Sequence, residues 1–189
     1  MKCLVISDLH GSTIASLKVH QLMETHAFDL ILCCGDVLYH GPRNGVSEDY
    51  DPKQVIHDLS PYAKRIIAVK GNCDGEVDQM VLPFHIDSFN NTLWFNHHFL
   101  WMTHGHHDTP ETCNKYLTNG DIFLYGHVHI PCGYTTKDGI HILNPGSMTF
   151  PKEGHPKTYA ILDDDGFTIY TLDDQPYMIH HWTDSDDAH

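Results

Sequence analysis

MKCLVISDLHG, residues 1–11, opens with an apolar run from Cys3 to Ile6 that stops at Ser7-Asp8 and passes through His10 to Gly11. A run of that length, closed by polar residues and glycine, predicts a buried strand that ends in a loop. From about Ser12 to Thr25, Ile14, Leu17, Leu22 and Met23 recur at helical spacing, so the opening reads strand, loop, helix. The pattern recurs downstream. Leu30–Cys34 ends in Gly35-Asp36 and Arg65–Val69 ends in Gly71-Asn72, with a helix expected near Pro52–Leu59 between them. This alternation predicts βαβ units, whose ligands sit beyond the carboxyl ends of the strands.

After Gly75 the pattern changes to short β-rich runs at 92–95, 99–103, 122–125, 132–136, 140–143, 159–162, 167–172 and 177–182. Asn90-Asn91, Lys137-Asp138-Gly139 and the stretch from Asp163 to Gly166 are turn signals between them. One helix, roughly Pro110–Leu117, is expected in this half, and pairing largely through hairpins. The longest irregular stretch, Tyr39 to Asp51, is of a length often reserved for function. One domain over residues 1–183 and a frayed polar tail over 184–189 are expected.

The 189 residues hold 11 Lys+Arg against 25 Asp+Glu, a net charge of −14 that argues against long nucleic acids and anionic membranes as partners. The opening residues lack a signal-peptide pattern and no apolar run spans a bilayer, so a cytoplasmic address is expected, with the six cysteines as reduced thiols. Histidine is the anomaly, at 18 residues. Neutral imidazole is the commonest metal ligand.

Five short segments place ligand-type side chains just after β-rich runs: Asp8-Leu9-His10, Gly35-Asp36, Gly71-Asn72, His104-Gly105-His106 and Gly126-His127-Val128-His129. In extended backbone Asp8 and His10 would project to one side, as would His127 and His129, so each pair could grip one site. Two carboxylates, one amide and four imidazoles suit Mn, Fe, Co or Zn, and exceed what one ion takes. Two ions sharing Asp36 is the economical reading. Such a pair would suit in-line displacement at phosphorus.

In this order the segments resemble the calcineurin-like metallophosphoesterase family, from Lys2 to about Ser147. Gly71-Asn72-Cys73-Asp74, His40-Gly41-Pro42-Arg43-Asn44 and Asn144-Pro145-Gly146-Ser147 are most similar to its small YfcE-like bacterial phosphodiesterases. The resemblance implies a four-layer α/β sandwich, two packed mixed β-sheets flanked by helices. It further implies Asp8, His10, Asp36 and His129 on a first metal, Asp36, Asn72, His104 and His127 on a second, and a bridging hydroxide as nucleophile. Cys73 stands where larger members carry a histidine that protonates the leaving group. The resemblance also implies self-association, for which the aromatic, β-rich C-terminal region could supply the contact.

Arg43 is a candidate phosphate clamp, its alternative being a surface arginine. Cys73 is read as a thiol in the site wall or a buried spacer, and His106 as a phosphate or ligand contact or a solvated loop residue. His107 is left to the loop. Cys33 and Cys34 are expected on opposite faces of a core strand. His97-His98, His180-His181 and His189 are weaker metal candidates, and Phe167, Tyr177 and Trp182 are read as core or subunit contact, with a base-stacking platform as the alternative. The expected activity is phosphodiester hydrolysis on a small substrate, with pyrophosphohydrolase or phosphomonoesterase activity as alternatives. A non-catalytic scaffold subunit of the same fold is the alternative from another class.

Overall fold

A computed structural model describes residues 1–182; the tail over 184–189, including His189, lies outside the described residues. The first sheet runs in the order β11, β10, β9, β1, β2, β3. Its strands are β1 (Cys3–Ile6), β2 (Leu30–Cys33), β3 (Ile66–Ala68), β9 (Thr158–Leu162), β10 (Gly166–Thr171) and β11 (Pro176–His181). β1, β2 and β3 are parallel, and β9 closes antiparallel on β1. The second sheet, ordered β4, β5, β6, β8, β7, is built from β4 (Asn90–Phe95), β5 (His98–Thr103), β6 (Ile122–Leu124), β7 (Cys132–Thr135) and β8 (His141–Asn144).

Strand alternation explains the layering. Leu4, Ile6, Ile31 and Cys33 face helices α1 (Thr13–Thr25) and α2 (Pro52–Leu59), in a core with Val19, Leu22 and Val55. Cys3, Val5, Leu32 and Cys34 face the second sheet and pack with Leu100, Met102, Ile122 and Leu124. Cys33, the last residue of β2, and Cys34, just past it, therefore lie in different cores, as consecutive positions of extended backbone predict. The outer face of the second sheet is covered by Cys113 and Leu117 over Phe123, Tyr125 and Ile142.

Several local expectations are corrected. The helix over Pro110–Leu117 is only a 3-10 turn, Cys113–Lys115, and a six-residue helix α3 (Glu76–Val81) follows Gly75. α3 escaped the periodicity because it buries no residue. Hairpins join β4 to β5, β7 to β8 and β9 through β11, but β5, β6 and β8 are parallel. On α1 the core face is Ala15, Ser16, Val19, Leu22 and Met23, while Ile14 and Leu17 are exposed. Leu22 and Met23 of the expected stripe are buried, while Ala15 and Val19 fill the places expected for Ile14 and Leu17. The six cysteines are free thiols, and no helix among the described residues is long and apolar enough to cross a membrane.

Candidate active site

Parallel strands of both sheets point their carboxyl ends at one crest, and each candidate ligand leaves the chain there. Asp8 follows β1, Asp36 follows β2, Asn72 follows β3, His104 follows β5 and His127 follows β6. Backbone bonds lash the loops together: Asp8 N–H donates to Gly35 O at 3.0 Å, His10 N–H to Asp36 O at 2.9 Å and Gly126 N–H to His104 O at 3.0 Å. The Asn144–Ser147 turn braces the first loop, since Ser147 Oγ donates to Asp8 O at 3.0 Å. Asn144 Nδ2 holds Gly126 O at 2.9 Å.

The extended geometry expected for the i, i+2 pairs does not occur. Asp8, His10, Asp36, His127 and His129 all lie in the left-handed region, with φ of 54°, 47°, 55°, 66° and 62°. For a residue with a Cβ this costs roughly 1 kcal/mol or more each, and such outliers cluster at functional sites. The turns aim Asp8 and His10 at one point, their Oδ1 and Nε2 3.6 Å apart. They split the other pair. His129 sits against His10, with Nε2 atoms 3.3 Å apart, whereas the ring of His127 packs on His104 at 5.0 Å.

Asp8, His10, Asp36, His104 and His129 are buried, and ligand atoms within the trios Asp8, His10, His129 and Asp8, Asp36, His104 lie within 4.8 Å of one another. The same holds for His10, Asp36 and Cys73. Asp8, His10 and Asp36 each belong to two of these trios. Asn72 Oδ1 lies 3.1 Å from His104 Nε2.

Three imidazoles are locked in one tautomer. Nδ1–H donates to a carbonyl in His10 (Tyr39 O, 2.8 Å), His104 (Cys34 O, 2.6 Å) and His129 (Phe150 O, 2.6 Å). A carbonyl cannot donate, so in the neutral ring each Nε2 carries a lone pair. Those lone pairs face carboxylate oxygens: His129 Nε2 is 3.0 Å from Asp8 Oδ1, and His104 and His10 Nε2 are 3.5 and 3.8 Å from Asp36 Oδ2. Asp8 Oδ1 is buried with no hydrogen-bond donor. Acceptors facing acceptors need something positive between them, a proton or a metal ion.

The electrostatics say the same. Burial pulls His104 down, but Asp36 and then Asp8 outweigh it and lift the imidazole to about 9. Burial raises Asp8, yet His10 and His129 hold it well below the usual carboxylate range. The donor set fits divalent cations.

A cavity of about 490 Å³ opens over the cluster, lined by Asp36, Asn72, Cys73, His127 and His129 together with Tyr39, Arg43, Asn44 and Lys152. Arg43 thus reaches the site from the long loop. Burial and then Asp36 push the Cys73 thiol up to about 12. His106 stands behind the lining, its ring 5.3 Å from His104 and 6.1 Å from His127. Burial, then His104, lowers it to about 4, and its Nδ1 is buried without a partner.

Sequence reasoning missed two residues. Asp74 is buried and accepts from the backbone N–H groups of Asp36, Val37 and Gly71 at 2.8, 2.9 and 2.8 Å, clamping the loop that carries Asp36 to the one that carries Asn72. Its place beside Asn72-Cys73 was the available signal. Lys152 adds a cation to the cavity wall, and nothing in its sequence neighbourhood marks it.

A crest of buried Asp and His at the carboxyl ends of two packed mixed sheets defines a metal-dependent phosphoesterase fold, and the chain belongs to the calcineurin-like phosphoesterase superfamily, whose domain model matches residues 1–166. Phosphodiesterase YfcE of Escherichia coli K12 is 40% identical over 175 residues, covering 93% of this chain and 94% of the relative. The structure of Yfce, a phosphoesterase from E. coli, superposes with a TM-score of 0.92 at 38% identity, over 96% of this chain and 99% of that one. Vacuolar Protein Sorting 29 from Cryptosporidium parvum shares the fold at a TM-score of 0.66 and 19% identity, over 95% of this chain and 96% of that one.

Proposed function

We propose that this protein is a metal-dependent phosphodiesterase acting on a small phosphodiester. One observation carries the reading: three tautomer-locked imidazoles turn their Nε2 lone pairs on two buried carboxylates, one oxygen of which has no donor. Five left-handed residues maintain that arrangement at a cost to stability, which a scaffold role would not require. The 40% identity to a named phosphodiesterase supports the same reaction class.

Asp8, His10, Asp36 and His129 would hold one cation, and Asp36, Asn72, His104 and His127 a second, with manganese the first choice and zinc, iron or cobalt as alternatives. When bound, such ions neutralise the phosphodiester anion and lower the pKa of an attacking water. The chain's own groups do the rest. Arg43 and Lys152 line the cavity and attract the anion, and a guanidinium suits two phosphoryl oxygens at once. The carbonyls of Tyr39, Cys34 and Phe150 keep the imidazoles oriented, and Asp74 keeps Asp36 in place. Cys73 lines the same cavity.

A cytoplasmic address and self-association through the aromatic C-terminal strands complete the proposal. Exposed Tyr177 and Ile179 on β11, an edge strand, support the latter. Hydrolysis of a diester, a monoester and a dinucleoside polyphosphate, compared side by side on manganese-loaded protein, tests the substrate class. Preference for the diester is expected; preference for either of the others would replace this reading.

A further inference from the structure

A second cavity, of about 450 Å³, lies beside the first, and Tyr39 and Cys73 line both. The shared wall is tied to the metal-ligand cluster, because the Tyr39 carbonyl accepts the Nδ1–H of His10 at 2.8 Å. Beyond it the lining changes character: Leu38, Tyr50, Ile56, Val77 and Val81 dominate, with Lys53 and Asp78 the only charged residues. Tyr39 is 41% exposed, Val77 67% and Val81 47%, although all three are apolar or aromatic. Contiguous apolar exposure of this kind marks a ligand or partner site.

The occupant follows from the chemistry of the neighbouring site, so this inference rests on the phosphodiesterase reading above. A phosphodiester has two arms. With the phosphorus at the Asp and His cluster, one arm would lie along the polar wall of Arg43, Asn44 and Lys152, and the other would pass Tyr39 and Cys73, which line both cavities, into the apolar one. Two aromatic rings, Tyr39 and Tyr50, stand in the wall of the apolar cavity. We propose that this cavity is the subsite for an uncharged, ring-bearing ester arm, so that the enzyme selects aromatic phosphodiesters over those with small alkyl arms. Aromatic faces and aliphatic side chains favour a flat apolar ring, and Lys53 and Asp78, of opposite sign, give the cavity no net charge with which to select an ionic one.

Calorimetric titration of manganese-loaded protein with diphenyl phosphate and dimethyl phosphate tests this directly. Diphenyl phosphate is expected to bind on the order of tenfold tighter or better, from burial of one ring. In the Val77→Asp/Val81→Asp variant, whose positions are exposed and tolerate the change, the ratio should fall to within about threefold. Equal affinities in the natural protein, or an unchanged ratio in the variant, would overturn the subsite. So would a variant that alters only the oligomeric state by light scattering, which would assign the face to a second copy of the chain. Hydrolysis of bis(p-nitrophenyl) phosphate is read separately. Its absence with the affinity ratio intact strikes the catalytic reading and leaves the subsite standing.

Discussion

His141→Phe isolates an acid-sensitive contact outside the lining of the catalytic cavity. His141 is buried on β8 where the edges of the two sheets meet, with His180 Nε2 3.1 Å from its Nδ1 and Thr135 Oγ1 3.0 Å away. The rings of His98 and Trp182 pack on it at 5.6 and 5.1 Å. Burial, then His180 and His98, depress its pKa from 6.5 to about 4. The folded protein therefore keeps His141 neutral in a range where the unfolded chain protonates it. Stability is intact above about 6.5 and is lost as pH falls toward 4. The whole interval corresponds to about 3 kcal/mol, and at pH 5 about 2 kcal/mol has gone. Phenylalanine does not titrate, so the variant should gain about 2 kcal/mol on the natural protein between pH 7.5 and pH 5, whatever their difference at pH 7.5. Urea unfolding of both chelator-stripped proteins at the two pH values measures this, with acid loss of metal removed as a variable. A difference constant within about 0.5 kcal/mol would refute the assignment.

Asp36→Asn removes half the charge of the carboxylate shared by two ligand trios, and turnover should fall on the order of 10²–10³-fold with metal content reduced and the fold retained. Full activity with two ions still bound would count against a shared ligand. Cys73→His should selectively speed substrates with poor leaving groups, by up to about 10²-fold, because a histidine there can donate a proton at neutral pH. A uniform change across a leaving-group series would assign that step elsewhere. Gly71→Ala should cost activity and roughly 1–3 kcal/mol of stability, since a Cβ there would collide with Asp36. An alanine variant with unchanged kcat and Tm would contradict the packing of these loops.

The layered core was legible because β1 and β2 are short, apolar and closed by Ser7-Asp8 and Gly35-Asp36. The ligand set was legible because each member follows a strand. Backbone conformation was not: side-chain spacing suggested extended pairs, whereas tertiary bonds such as His10 N–H to Asp36 O hold the ligands in left-handed turns. That is why His127 and His129 part company. α3 was invisible because it buries nothing, and Ile14 and Leu17 misled because exposed apolar residues carry the same letters as core ones. Asp74 and Lys152 enter the site through folding alone, one as a backbone clamp and the other from a loop remote in sequence.

The central claim is that the buried Asp and His cluster is built for divalent cations that make the protein a phosphodiesterase. Elemental analysis of chelator-stripped and manganese-reloaded protein, paired with hydrolysis of bis(p-nitrophenyl) phosphate by the same samples, tests it most directly. The stripped protein should be inactive, and activity should return in step with metal uptake, saturating at about two ions per chain. Equal activity in stripped and reloaded protein, or reloaded protein that holds its metal and cleaves nothing, would contradict it.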